Sequence, residues 1–151
     1  EGWWGAVASA LFLLFLATRR DRPGTRWLIL PPLAILFGGL ADGMLAATGG
    51  LEFTHEPMAF GLPLWMPMLW AAFAGAIPFM LKSLRHRLPY VAVLGAVGGP
   101  AAYFGAMRLG ALEAIAPWAW PVVALEWAVF PVFALWWAFP ADKEGSPAPA
   151  A

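Results

Sequence analysis

Three ionisable side chains stand inside long apolar runs: Asp42, Arg108 and Glu126. At the centre of a hydrocarbon layer such a charge costs between about 2.5 and 17 kcal/mol, depending on the scale used, so each needs a partner or a purpose. Asp42 and Arg108 fall at similar depths on different segments and could pair. Glu126 lies about nine residues into its run, roughly 14 Å deep at about 1.5 Å per residue, with no basic residue at its level. Two readings stay open. One is a structural ion pair that sets helix register, with Glu126 protonated or snorkelling. The other is a polar pocket open to the outer leaflet, made by Asp42, Tyr103, Arg108 and Glu126. Gly38, Gly39 and Gly43 surround Asp42 in sequence, so a neighbouring backbone or a lipid headgroup could come close to it. A protonated Glu126 fits a proton carrier, and it fits equally a carboxylic acid hydrogen-bonded to a carbonyl.

Other chemistry is poorly supported. The chain has no cysteine, which removes disulfides and thiolate ligands, and its two histidines are too few for a histidine metal cage. His55 between Glu52 and Glu56 resembles a metal site only superficially, so no metal and no cofactor are expected. No nucleotide-binding glycine loop, nucleophile elbow or zinc-binding helix motif is present, and no catalytic residue is assigned. Net charge is zero, so nucleic acid is not an expected partner.

The elements that must hold these residues follow from composition. Apolar residues make up 62% of the 151 positions and charged residues 12%, with a mean hydropathy of +0.71. So little charge cannot cover a surface facing water, and the missing solvent is lipid. Five apolar runs are candidate spans, at about 3–18, 27–47, 64–81, 89–109 and 117–139. The expected fold is an all-α membrane bundle over residues 1–139 with short links. A tail at 140–151, rich in Pro, Ala and charge, is expected to be disordered and cytoplasmic.

Eight of the nine Lys and Arg residues fall on one side of a five-span layout: Arg19, Arg20, Arg22, Arg26, Lys82, Arg85, Arg87 and Lys143. Only Arg108 falls on the other, with Glu1, Glu52, Glu56 and Glu113. By the positive-inside rule the links 19–26 and 82–87 and the C-terminus are cytoplasmic. Of the ten tryptophans, Trp3, Trp4, Trp27, Trp65, Trp118, Trp120, Trp136 and Trp137 lie near span ends and form an expected interfacial belt; Trp70 and Trp127 lie deeper.

Small residues mark where helices approach closely. Gly98, Ala102, Ala106 and Gly110 recur every four residues, Gly95 and Gly99 form a second pair, and Gly39 with Gly43 and Ala71 with Gly75 do the same elsewhere. Pro78, Pro100 and Pro131 each remove the donor for a carbonyl one turn earlier, those of Ala74, Ala96 and Trp127. Gly98-Gly99-Pro100 is the most helix-disrupting triplet within any span, and a packing kink is favoured there over a break that lines a cavity.

Several stretches together resemble a family. Leu40-Ala41-Asp42-Gly43 with Ala47-Thr48-Gly49-Gly50, Pro63-Leu64-Trp65-Met66 with Leu69-Trp70-Ala71-Ala72-Phe73-Ala74, Ser83-Leu84-Arg85, and Leu94 to Tyr103 with Arg108-Leu109-Gly110-Ala111 are similar to motifs of the bacterial inner-membrane family called domain of unknown function 2878. The likeness spans roughly Trp3 to Trp137. It implies an inner-membrane protein, a family pattern that begins one helix earlier than Glu1, and an association with lipid-modifying enzymes of the methyltransferase and flavin oxidoreductase kinds. It adds weight to Asp42, Gly99, Pro100, Tyr103 and Arg108 and none to Glu126.

The expected function is a lipid-binding or scaffolding membrane subunit that works with a lipid-modifying or other membrane or peripheral partner. The alternative is a small transporter or a lipid or quinone carrier using the polar pocket, which at this size would need a homo-oligomer. A membrane-embedded enzyme ranks last.

Overall fold

A computed structural model describes residues 4–19, 24–54 and 60–140. His55, Glu56, Arg20, Arg22, Lys143 and the tail beyond Pro140 lie outside the described residues. The apolar runs form five α-helices: α1 (Trp4–Thr18), α2 (Leu30–Ala47), α3 (Trp65–Met80), α4 (Leu88–Arg108) and α5 (Ala119–Ala138). A 3-10 turn, Thr25–Ile29, leads into α2, and another, Lys82–Leu84, follows α3. Three helical segments, Thr25–Ala47, Leu88–Arg108 and Ala119–Ala138, are long and apolar enough to cross a membrane; α1 and α3 are apolar but shorter. Prolines open α2 and α4, where their missing N–H has no helical acceptor to lose.

α2 and α4 end in the same way. Gly49 and Gly110 both take φ +73°, a left-handed conformation that suits glycine. Gly50 N donates to Leu45 O and Gly49 N to Ala46 O; Ala111 N donates to Ala106 O and Gly110 N to Met107 O. These paired bonds are Schellman motifs, which satisfy the last carbonyls and turn the chain sharply. Each turn delivers a short strand, β1 (Leu51–Phe53) and β2 (Leu112–Ile115), and the two pair antiparallel with Leu51 opposite Ile115 and Phe53 opposite Leu112. A bulge at Glu52/Phe53 disturbs the register, and Ala116 N donating to Gly50 O extends the ladder. The sequence reading anticipated only loops there. Leu51 and Leu112 point inward and are buried, so the ribbon covers one end of the bundle.

The main packing partners are α4 with α5, α2 with α3, and α1 with α3. α5 also touches α3 and α2, whereas α3 and α4 barely meet. A seam is therefore left between them. Large apolar side chains such as Leu14, Phe15, Val93, Val97, Phe104, Leu125 and Val129 face outward. Only Val91, Gly99 and Tyr103 of the 21 residues of α4 are buried, an arrangement that water would oppose and hydrocarbon would favour.

α4 runs unbroken through Gly98-Gly99-Pro100, so the disfavoured alternative of a break there is not made. One expectation needs correction. Trp27 does not belong to an interfacial belt: it is 2% exposed, and its Nε1–H donates to the Gly75 carbonyl at 2.8 Å. The 3-10 turn at Thr25–Ile29 folds the ring inward, edge-on to Phe79. Arg26 is pinned beside it, its carbonyl accepting from Trp137 Nε1 at 3.1 Å and its guanidinium lying over the Trp137 ring.

Candidate functional site

Asp42 lies five residues before Ala47 of α2, Trp70 five after Trp65 of α3, and Tyr103 five before Arg108 of α4. At about 1.5 Å per residue, all three sit about 7.5 Å from the strand-bearing ends of their helices, in one layer. Trp70 Nε1–H donates to Asp42 Oδ2 at 2.7 Å, and Tyr103 O–H donates to Asp42 Oδ1 at 2.6 Å. Asp42 is fully buried. One carboxyl group thus ties three helices together, each oxygen holding a different neighbour.

Glycines make the close approach possible. A Cβ at Gly38, one turn before Asp42 on the same face of α2, would overlap the Trp70 ring. That ring also stacks on Trp127, with centroids 4.6 Å apart and planes 29° apart. Trp127 lies in turn against Gly99, where a Cβ would overlap its ring. At Gly95 a Cβ would overlap the Trp127 carbonyl oxygen. The oxygen is the one to which Pro131 offers no N–H. A glycine Hα pointing at it supplies a Cα–H···O contact instead, a weak bond worth about 0.5–1 kcal/mol.

Glu126, next to Trp127 on α5, is 8% exposed and lies within electrostatic range of Asp42 and Tyr103. Its Oε2 has no hydrogen-bond partner. Trp127 Nε1 is also unpaired, facing the Tyr103 hydroxyl without reaching bonding geometry. A buried polar atom without a partner is uncommon in folded proteins, and two here sit on consecutive residues.

The structure brings Asp42, Tyr103 and Glu126 together and leaves Arg108 out. Both Asp42 oxygens are occupied by α3 and α4 donors, while Arg108 is exposed at the end of α4. The expected Asp42–Arg108 pair is not made. The polar cluster is closed over rather than open to one end. Gly39 and Gly43 pack closely, but against Phe60 of the following link rather than another helix: Phe60 sets its ring on Gly39 and its carbonyl on Gly43. Gly98 is not a close-packing residue, since a Cβ there would meet nothing within 4 Å. Pro100 lies within the continuous α4.

Two hollows flank the cluster. A small void of about 30 Å³, bounded by Trp70, Tyr103, Trp127, Ala106 and Leu112 among others, has room for a water or two. A larger groove of about 280 Å³ lies along the α3–α4 seam, walled by Phe73, Ile77, Leu94 and Gly98 and floored by Trp127 and Pro131. Phe73, Ala102 and Trp127 border both. Among the described residues no group of three His, Cys, Asp or Glu side chains could hold a metal ion.

The model of a family described as protein of unknown function DUF2878 matches residues 1–139. The chain belongs to the DUF2878 family. No curated protein and no solved structure matches it. In this DUF2878 member the separate stretches around Asp42, Trp70 and Tyr103 converge on one hydrogen-bonded carboxyl group. Trp70 escaped the residue-by-residue reading as a partner for Asp42. Its depth was the available signal: an indole N–H far from water needs an acceptor, and Asp42 is the acidic residue at its level.

Proposed function

We propose that this chain is a multi-pass protein of the bacterial inner membrane, with its basic links facing the cytoplasm, and that it holds a lipid chain rather than catalysing a reaction. The α3–α4 seam carries this reading. Helices that barely meet in hydrocarbon leave a slot that acyl chains fill, because no water is there to do so. The Asp42 network supports a holding role. Its donors and acceptor serve one another, fixing α2, α3 and α4 so that the slot keeps its shape. Such a subunit would present lipid to a lipid-modifying partner or scaffold it.

The test is native mass spectrometry of the full chain extracted in mild detergent. The proposal expects retained phospholipid at about one molecule per chain. A chain that sheds every lipid and purifies alone would contradict it.

A second reading, a small proton-coupled carrier, has one observation in its favour: the buried, unpartnered Oε2 of Glu126. Proteoliposome proton flux that disappears in Glu126→Gln would support it, and flux unchanged by Glu126→Gln and Asp42→Asn would remove it.

A further inference from the structure

We propose that the lipid is an anionic glycerophospholipid of the leaflet at the basic end, its phosphate held by Lys82, Ser83, Arg85 and His86 and one acyl chain laid along the α3–α4 seam. The inference rests on the lipid-holding role proposed above and adds the headgroup class and the direction of the chain.

Just beyond α3 the backbone folds into a compact knot. Leu81 N donates to Ile77 O, Leu84 N to Leu81 O, and Arg85 N to Lys82 O. The knot walls an open basin lined by Phe79, Met80, Lys82, Ser83, Arg85 and His86. Arg85 Nε donates to His86 Nε2 at 2.9 Å, and the guanidinium lies over Phe139. This anchors Arg85 by one nitrogen and leaves its terminal N–H groups for a ligand. With Nε2 accepting, the other ring nitrogen of His86 carries the proton. Lysine ammonium, guanidinium, serine hydroxyl and imidazole N–H are together a donor set for phosphate oxygens.

Among the described residues no carboxylate lies at this end of the bundle. The carboxylates among them are Asp42, Glu52, Glu113 and Glu126, all in the half of the bundle nearer the strands.

The basin adjoins the apolar groove, with Met80 lining both. From there the groove climbs α4 from Leu94 through Gly98 to Ala102, eight residues or about 12 Å. That is most of the roughly 15 Å of hydrocarbon in one leaflet. At its far end the groove reaches Trp127. Charge at one mouth and hydrocarbon along the rest match a phospholipid in size, polarity and direction. The small residues of α4 alone would not specify one.

Native mass spectrometry of the full chain, titrated with phosphatidylglycerol or phosphatidylethanolamine of the same acyl chains, separates the outcomes. We expect phosphatidylglycerol to bind at least tenfold tighter. A Lys82→Gln/Arg85→Gln variant should lose that preference while keeping the weaker binding. Gly98→Leu, whose side chain enters open space and fills the groove, should weaken both lipids about tenfold. Gly105→Leu, equally unhindered but outside the groove, should change neither. Glycerol 3-phosphate at millimolar concentration should not compete, since headgroup contacts alone are too few. Equal binding of the two lipids by the parent chain, or Gly98→Leu binding that matches the parent, would overturn the assignment while leaving lipid holding intact. Competition by glycerol 3-phosphate would overturn it in favour of a site for free phosphate esters. Retention of no lipid of either class would overturn the underlying role as well.

Discussion

The indole of Trp70 and the carboxyl of Asp42 meet at 2.7 Å across the α2–α3 interface, at a level where both groups are buried. An indole can only donate, so Asp42 must present an oxygen to it. Tyr103 is less constrained, because a hydroxyl can turn to donate or accept. This asymmetry ranks the substitutions. Asp42→Asn can keep its amide oxygen on Trp70 and give its NH₂ to a rotated Tyr103, so it should be milder than Asp42→Ala, which strands both donors. Trp70→Phe keeps a ring in the stack but leaves Oδ2 unpaired, at a cost of about 1–3 kcal/mol. Thermal unfolding in detergent should rank Asp42→Ala below Asp42→Asn. Equal melting temperatures for the two would show that the hydrogen bonds carry no weight.

The α4–α5 interface depends on two glycines one turn apart. Gly95→Ala sets a methyl on the Trp127 carbonyl, and backbone cannot yield as a flexible side chain can. Overpacking of this kind costs about 1–3 kcal/mol. Gly98→Ala, on the open side of the same helix, should be neutral or slightly stabilising, because alanine favours a helix by up to about 1 kcal/mol over glycine. The melting temperature should fall for Gly95→Ala and hold or rise for Gly98→Ala.

Gly49 and Gly110 close the ends of α2 and α4 in left-handed conformations. A side chain in that region costs about 1–2 kcal/mol. Gly110→Ala should therefore lower the melting temperature, and it should raise amide exchange at Ala111 and Leu112 as the turn into β2 loosens. Unchanged exchange there would mean that the turn tolerates a side chain.

Trp27→Phe removes the bond to the Gly75 carbonyl while keeping aromatic bulk. A loss of about 1 kcal/mol is expected, with faster proteolysis near the Thr25–Ile29 turn. A variant as stable and as resistant as the parent would show that packing alone seats this ring.

The sequence made the five helices legible, because apolar runs of this length have few other uses. It did not reveal which residues around each helix face inward. Tyr103 and Arg108 are five residues apart, about 140° around α4 at 3.6 residues per turn, so they cannot both face Asp42. Depth and charge favoured Arg108; the direction in which each side chain points decides for Tyr103. The same geometry separates Gly98, which faces the groove, from Gly99, which faces Trp127. The paired strands stayed hidden because three or four residues are too few to show an alternating pattern. Gly49 and Gly110 were visible as glycines, but matching turns become evident only when their hydrogen bonds are seen.

An experimental structure of the full chain in a lipid nanodisc bears most directly on the lipid-holding role. Continuous tubular density between Phe73 and Ile77 on one side and Leu94 and Gly98 on the other is the predicted result. Closure of α3 onto α4, with side chains in contact along that line and no density between them, would contradict it.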